Sequence, residues 1–108
     1  METLKKLEEN GVHLTYEEIV QLCDKYHIEE LSIFGSSIRD DFTDDSDIDV
    51  LVAYKPKAKV SLFDEVDLMN ELSNLIKRTV DICDIRGLKN PIRREEILST
   101  REVVYVCS

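Results

Sequence analysis

The chain has 108 residues, 43% of them hydrophobic and 34% charged, which suits one domain over residues 1–108, excludes a second core and excludes a disordered chain. Its formal net charge of -9 argues against coating nucleic-acid phosphates with Lys and Arg. No apolar run reaches the length of a membrane span, and Met1-Glu2-Thr3-Leu4-Lys5-Lys6 does not open a signal core, so a cytoplasmic protein with no membrane or direct nucleic-acid partner is expected.

Thr3 to Glu9 reads as a short helix stopped by Asn10-Gly11. Thr15-Tyr16-Glu17-Glu18 has the form of a capping box, and Ile19, Val20, Leu22, Cys23 and Tyr26 recur at helical spacing, which predicts a helix from about Thr15 to His27. Leu31 to Phe34 is a short strand ended by Gly35-Ser36, and Asp47 to Ala53 is a second strand in which β-branched residues alternate with acids. A loop from Tyr54 to Val60 leads to Ser61, which with Asp64 caps the longest helix, whose apolar stripe is Leu62, Phe63, Val66, Met69, Leu72, Leu75 and Ile76. That stripe reads as core, or as core plus a partner surface. Thr79 to Cys83 is a third strand, Gly87 to Asn90 a turn, and Pro91 opens a helix that ends near Leu98. Val103 to Val106 is expected as a final edge strand. The alternation predicts an α/β (α+β) domain with a small mixed sheet and helices packed on one face.

Cys23, Cys83 and Cys107 form no C-x-x-C pair, and His13 and His27 lie in no H-E-x-x-H setting, so neither a disulfide framework nor a zinc site is expected. Chemistry is concentrated among the acids. Asp40, Asp41, Asp44, Asp45, Asp47 and Asp49 crowd ten residues with no base among them. The first four read as a solvated surface loop. An EF-hand is excluded, because counting from Asp45 the sixth place holds Val50 and the twelfth Pro56, where a calcium loop needs Gly and Glu. Asp47 and Asp49 are two apart on a strand and share one face, with Ile48, Val50 and Val52 on the other. Asp81 lies opposite Val80 and Ile82 in the same way, so pairing the second and third strands would gather three carboxylates into an oxygen-rich site for hard cations. Upstream, Gly35-Ser36 opens Ser37-Ile38-Arg39, a candidate helical turn whose backbone N-H groups suit a phosphate. Arg86, Lys89, Arg93 and Arg94 make the last third basic, as solvated charges, as a dock for an acidic partner, or as an access path for a nucleotide triphosphate.

The spacing Gly35-Ser36, ten residues, Asp47-Ile48-Asp49, with Val80-Asp81-Ile82 on a later strand, resembles the signature of the DNA polymerase β-like nucleotidyltransferase superfamily. The short length and the Pro91 to Val106 pattern resemble its minimal nucleotidyltransferases (MNT), many of them antitoxins paired with a HEPN-domain toxin. The resemblance runs from about Glu18 onward. It implies that Asp47, Asp49 and Asp81 are catalytic and bind two Mg²⁺ ions, with Asp81 also accepting the acceptor hydroxyl's proton. It implies that Gly35 and Ser36 hold the nucleotide phosphates, and that Arg39 touches phosphate or locks the loop. Many relatives carry glycine where this chain has Asp40, a departure in the loop itself.

The expected activity is Mg²⁺-dependent transfer of AMP from ATP to a hydroxyl, which the resemblance implies is a tyrosine of a cognate HEPN ribonuclease toxin. Two alternatives stand beside it. One is a non-catalytic antitoxin or scaffold that neutralises its partner by contact, against which a triad of like charges argues, since it destabilises a fold without a cation. The other is a small-molecule nucleotidyltransferase, similar to the aminoglycoside enzymes, with its acceptor site completed by a partner subunit.

Overall fold

A computed structural model describes Lys5, Glu8, Glu9, residues 13–35 and residues 47–107. Lys5, Glu8 and Glu9 are helical, within the first expected helix, whose other residues lie outside the described residues. Helix α1 is Tyr16–Lys25, and Thr15 caps it as expected: its side chain accepts from the Glu18 N-H while the Glu18 carboxylate accepts from the Thr15 N-H. The helix ends earlier than expected, because Tyr26 closes it and His27 turns left-handed with φ 57°.

That turn starts the first strand three residues sooner than the apolar run suggests. Strand β1 is Ile28–Phe34, β2 is Ile48–Tyr54, β3 is Val80–Asp84 and β4 is Glu102–Val106. They form one sheet in the order β3-β2-β1-β4, with β1 antiparallel to β2 and β4, and β2 parallel to β3. Val103 to Val106 accordingly lies on an edge, as expected. A parallel pair needs a crossover, and helix α2, Leu62–Ile76, supplies it between β2 and β3. Ser61 and Asp64 form the expected capping box. A 3₁₀ turn, Ile85–Gly87, precedes helix α3, Pro91–Thr100, whose cap Asn90 accepts from the Ile92 and Arg93 N-H groups.

One face of the sheet carries the main core. Leu31, Ile33, Ile48, Val50, Val52, Val80 and Val104 meet Ile19, Leu22 and Cys23 of α1 and Leu68, Leu72 and Ile76 of α2. Each such buried Leu, Ile or Val contributes about 1.5–3 kcal/mol. The expected stripe on α2 is therefore core only in its later turns. Leu62 and Phe63 are 77% and 83% exposed and Val66 is exposed too; at about 100° per residue Phe63 lies opposite Leu72 on the helix, and the buried Leu68 falls outside the expected stripe. The expectation of helices on one face holds for α1 and α2. A smaller cluster on the other face joins Leu51 to Leu88 and Ile97, with Phe34, Cys83, Ile85 and Leu98 around it, and it seats α3.

Candidate functional site

The in-register pair Asp49↔Asp81 on the parallel strands β2 and β3 builds the site. It forms because both strands alternate: Val80 and Ile82 go to the main core with Ile48 and Val50, which leaves the acids between them on the opposite face. Asp47 sits one residue before β2 and is exposed, as is Asp81, whereas Asp49 is half-buried. Burial raises the Asp49 pKa, and the charges of Asp81 and then Asp47 raise it further, while Arg93 acts in the opposite direction. Three carboxylates thus share one field.

Gly35 joins this group from β1. Phe34 is the register partner of Asp49, so the next residue turns beneath that carboxylate. Gly35 has φ 76°, and a Cβ there would collide with Asp49 Oδ2. Glycine is therefore required twice, by the left-handed backbone and by the close approach. Ser36 and Arg39 lie outside the described residues, as does Asp40.

Only part of the face bearing these acids is polar. Leu51 follows Asp49 by two positions and is buried under α3, so the expected division into one chemical face and one core face holds for the Asp47 and Asp49 end alone. Beside Leu51, burial pushes the Cys83 thiol up, with Arg93 drawing it down and Asp84, Glu65 and Asp49 raising it. Farther along, Arg86 grips Asp84, with Nη2 2.8 Å from Oδ2 and Nε 3.2 Å from Oδ1. Burial alone would raise the Asp84 pKa, but this bond lowers it. The Arg86 guanidinium also lies 5.3 Å from the centre of the Tyr54 ring, which places a structural cation there.

Hard carboxylate oxygens in an excess negative field are a donor set that suits Mg²⁺, which binds through one or two carboxylates completed by substrate phosphates. Among the described residues no group of three His, Cys, Asp or Glu side chains is assembled to hold a metal ion by itself. A cavity of about 580 Å³ lies elsewhere, lined by Lys25, Tyr26, His27, Asp64, Asp67 and Glu71. It belongs to the α1 and α2 side of the sheet and not to the carboxylate face. No described helix is long and apolar enough to cross a membrane.

A family model described as polymerase beta nucleotidyltransferase matches residues 17–108. The chain belongs to the polymerase beta nucleotidyltransferase family. Among similar proteins is the protein adenylyltransferase MntA of Thermococcus cleftensis, 33% identical over 86 residues, or 80% of this chain and 82% of that one. MJ0126 of Methanocaldococcus jannaschii, named as a candidate protein adenylyltransferase, is also 33% identical over 86 residues, 80% of this chain and 84% of the relative. A solved structure of a candidate minimal nucleotidyltransferase superposes with a TM-score of 0.68 at 33% identity, covering 81% of this chain and 86% of that one. A toxin-antitoxin complex crystallised with AMP-PNP shares the fold, with a TM-score of 0.71 at 18% identity over 88% of this chain and 76% of that one.

Within this nucleotidyltransferase the sequence signature and the geometry select overlapping residues. Gly35, Asp49 and Asp81 are brought together, and Asp47 adds its charge to Asp49. In the sequence Arg93 stands with Arg86, Lys89 and Arg94 in the basic last third, and nothing there attaches it to the carboxylates. The signal that separates it is its place four residues before Ile97, the residue that seats α3 on Leu51.

Proposed function

We propose that this nucleotidyltransferase moves AMP from ATP, with Mg²⁺, onto a tyrosine hydroxyl of a HEPN-domain ribonuclease toxin and thereby acts as its antitoxin. The observation that carries the reading is the Asp49 and Asp81 register pair above Gly35, in a chain 33% identical to a protein adenylyltransferase. Asp47 and Asp49 would hold the metal, with Asp81 as the third ligand. When bound, Mg²⁺ supplies neutralisation of the triphosphate charge and a more acidic acceptor hydroxyl.

The chain's own residues do the rest. Gly35 lets the backbone come close to a phosphate, Ser36 is assigned to the same phosphates by the signature, and the resemblance gives Arg39 a contact with phosphate or the locking of the loop. The acceptor oxygen attacks the α-phosphorus, the bond from that phosphorus to pyrophosphate breaks, and the hydroxyl proton passes to Asp81. An acceptor on a partner protein is supported by a solved toxin-antitoxin complex that shares this fold.

The test is to incubate the protein with ATP labelled at the α-phosphate, Mg²⁺ and the HEPN partner. Label should appear on a partner tyrosine and disappear with excess EDTA. Transfer at an undiminished rate in EDTA would remove the metal from the reading, and a partner left unlabelled in Mg²⁺ would remove the acceptor.

A further inference from the structure

Five arginines fall in the last third of the described chain, and most are committed to the fold. Arg86 is held by Asp84 at 2.8 Å. Arg94 Nη1 donates to the Ile85 carbonyl at 3.0 Å, and Arg101 Nη1 pairs with Glu30 at 3.3 Å. Arg78 is engaged as well. Arg93 differs. Its side chain is exposed and, among the described residues, makes no ion pair.

Its direction follows from packing. Ile97 presses on Leu51, and Arg93 is one turn earlier on the same face of α3. On β2, Asp49 is two residues before Leu51 and on the same face of the sheet. The first turn that carries Arg93 is fixed by Asn90, whose side chain accepts from the Arg93 N-H at 3.2 Å. Arg93 thus rises over the face of the sheet that bears the carboxylates, and its charge is felt at both Asp49 and Cys83.

We propose that Arg93 is a triphosphate-binding residue, which grips the phosphates beyond the α-phosphate of the incoming nucleotide and then the departing pyrophosphate. The inference rests on the nucleotide-transfer reading above. A triphosphate brought beside Asp47, Asp49 and Asp81 adds negative charge to a face already crowded with it. A guanidinium on that face offsets the repulsion, and its planar fork matches two phosphate oxygens at once. The same charge left in place without a nucleotide balances Asp49, so Arg93 would serve the site in both states.

The test measures binding by calorimetry in Mg²⁺, using ATP and AMP as probes on the wild type, Arg93→Gln, Arg93→Lys and the exposed control Lys89→Gln. Arg93→Gln should weaken ATP by at least about tenfold, the scale of a hydrogen bond to a charged group, and leave AMP unchanged. Arg93→Lys keeps the charge without the fork and should fall between, and Lys89→Gln should match the wild type. The proposal is overturned if Arg93→Gln binds ATP as the wild type does, or if ATP and AMP weaken together, which would make Arg93 a support for Asp49. A wild type that binds no ATP would overturn the transfer reading itself, and Arg93's assignment with it. Because Arg93 is exposed, its truncation leaves the Leu51, Leu88 and Ile97 cluster whole, and a thermal melt of each variant verifies this.

Discussion

Asp49 carries an opposition between folding and chemistry. Burial and the neighbouring charges of Asp81 and Asp47 raise its pKa in the folded chain. The stability linked to this group is present below the pKa it has in the unfolded chain and is lost as pH rises through the raised folded value. At pH 7 the ionised carboxylate therefore weighs against the fold, and Asp49→Asn should melt higher than the wild type while losing activity. The gain should shrink as pH falls through the carboxylate range. Thermal melts of both proteins across pH would reveal it, and an Asn variant that melts lower at pH 7 would contradict the assignment. Gly35 makes the matching prediction. Gly35→Ala should cost at least about 1 kcal/mol for its left-handed backbone, and more for the collision with the Asp49 carboxylate. In a double-mutant cycle with Asp49→Ala, removing the carboxylate should relieve that second part, so the two costs should not add. Additive costs in chemical denaturation would show that Gly35 is needed for its φ alone.

Two helices reach the sheet through different devices, and only one is visible as a sequence pattern. The capping boxes of α1 and α2 are local, four residues long, and legible at Thr15 and Ser61. The contact that ties these helices together is not local. The Tyr26 hydroxyl donates to Glu71 at 2.6 Å across 45 residues, and Lys25 reaches the same carboxylate at 3.1 Å. The bond from Tyr26, against the opposing effect of burial, and the Lys25 charge lower the Glu71 pKa. Its stability contribution is thus present above the unfolded carboxylate value and lost as pH falls through the folded one. Tyr26→Phe should destabilise by about 1 kcal/mol at neutral pH, with a smaller difference once Glu71 is protonated. Urea denaturation from pH 7 down through the carboxylate range would separate this from a pH-independent packing loss. The α2 stripe misleads because seven apolar residues spread around more than one face: Leu68, Leu72 and Ile76, four apart, are the covered row, and Phe63 lies opposite Leu72 and stays exposed.

At the scale of the molecule, strand order assembles the site. Asp47 and Asp49 are legible as a pair, because two residues of strand put them on one face. Asp81 becomes their neighbour only through the parallel pairing of β2 and β3, which the alternation of Val80 and Ile82 makes possible but does not impose. Arg93 was hidden among other bases, since its placement depends on Ile97 and Leu51 meeting across the second cluster. The β1 start at Ile28 is not legible because Glu29 and Glu30 dilute the apolar run, and Glu30 is accommodated by Arg101 from beyond α3. The most direct test of the central claim is peptide mass spectrometry of the HEPN partner after incubation with ATP, Mg²⁺ and a substoichiometric amount of this protein. An adenylyl group on a partner tyrosine, formed by the wild type and absent with Asp81→Asn, is the predicted result; a partner silenced without modification, equally well by both proteins, would contradict it.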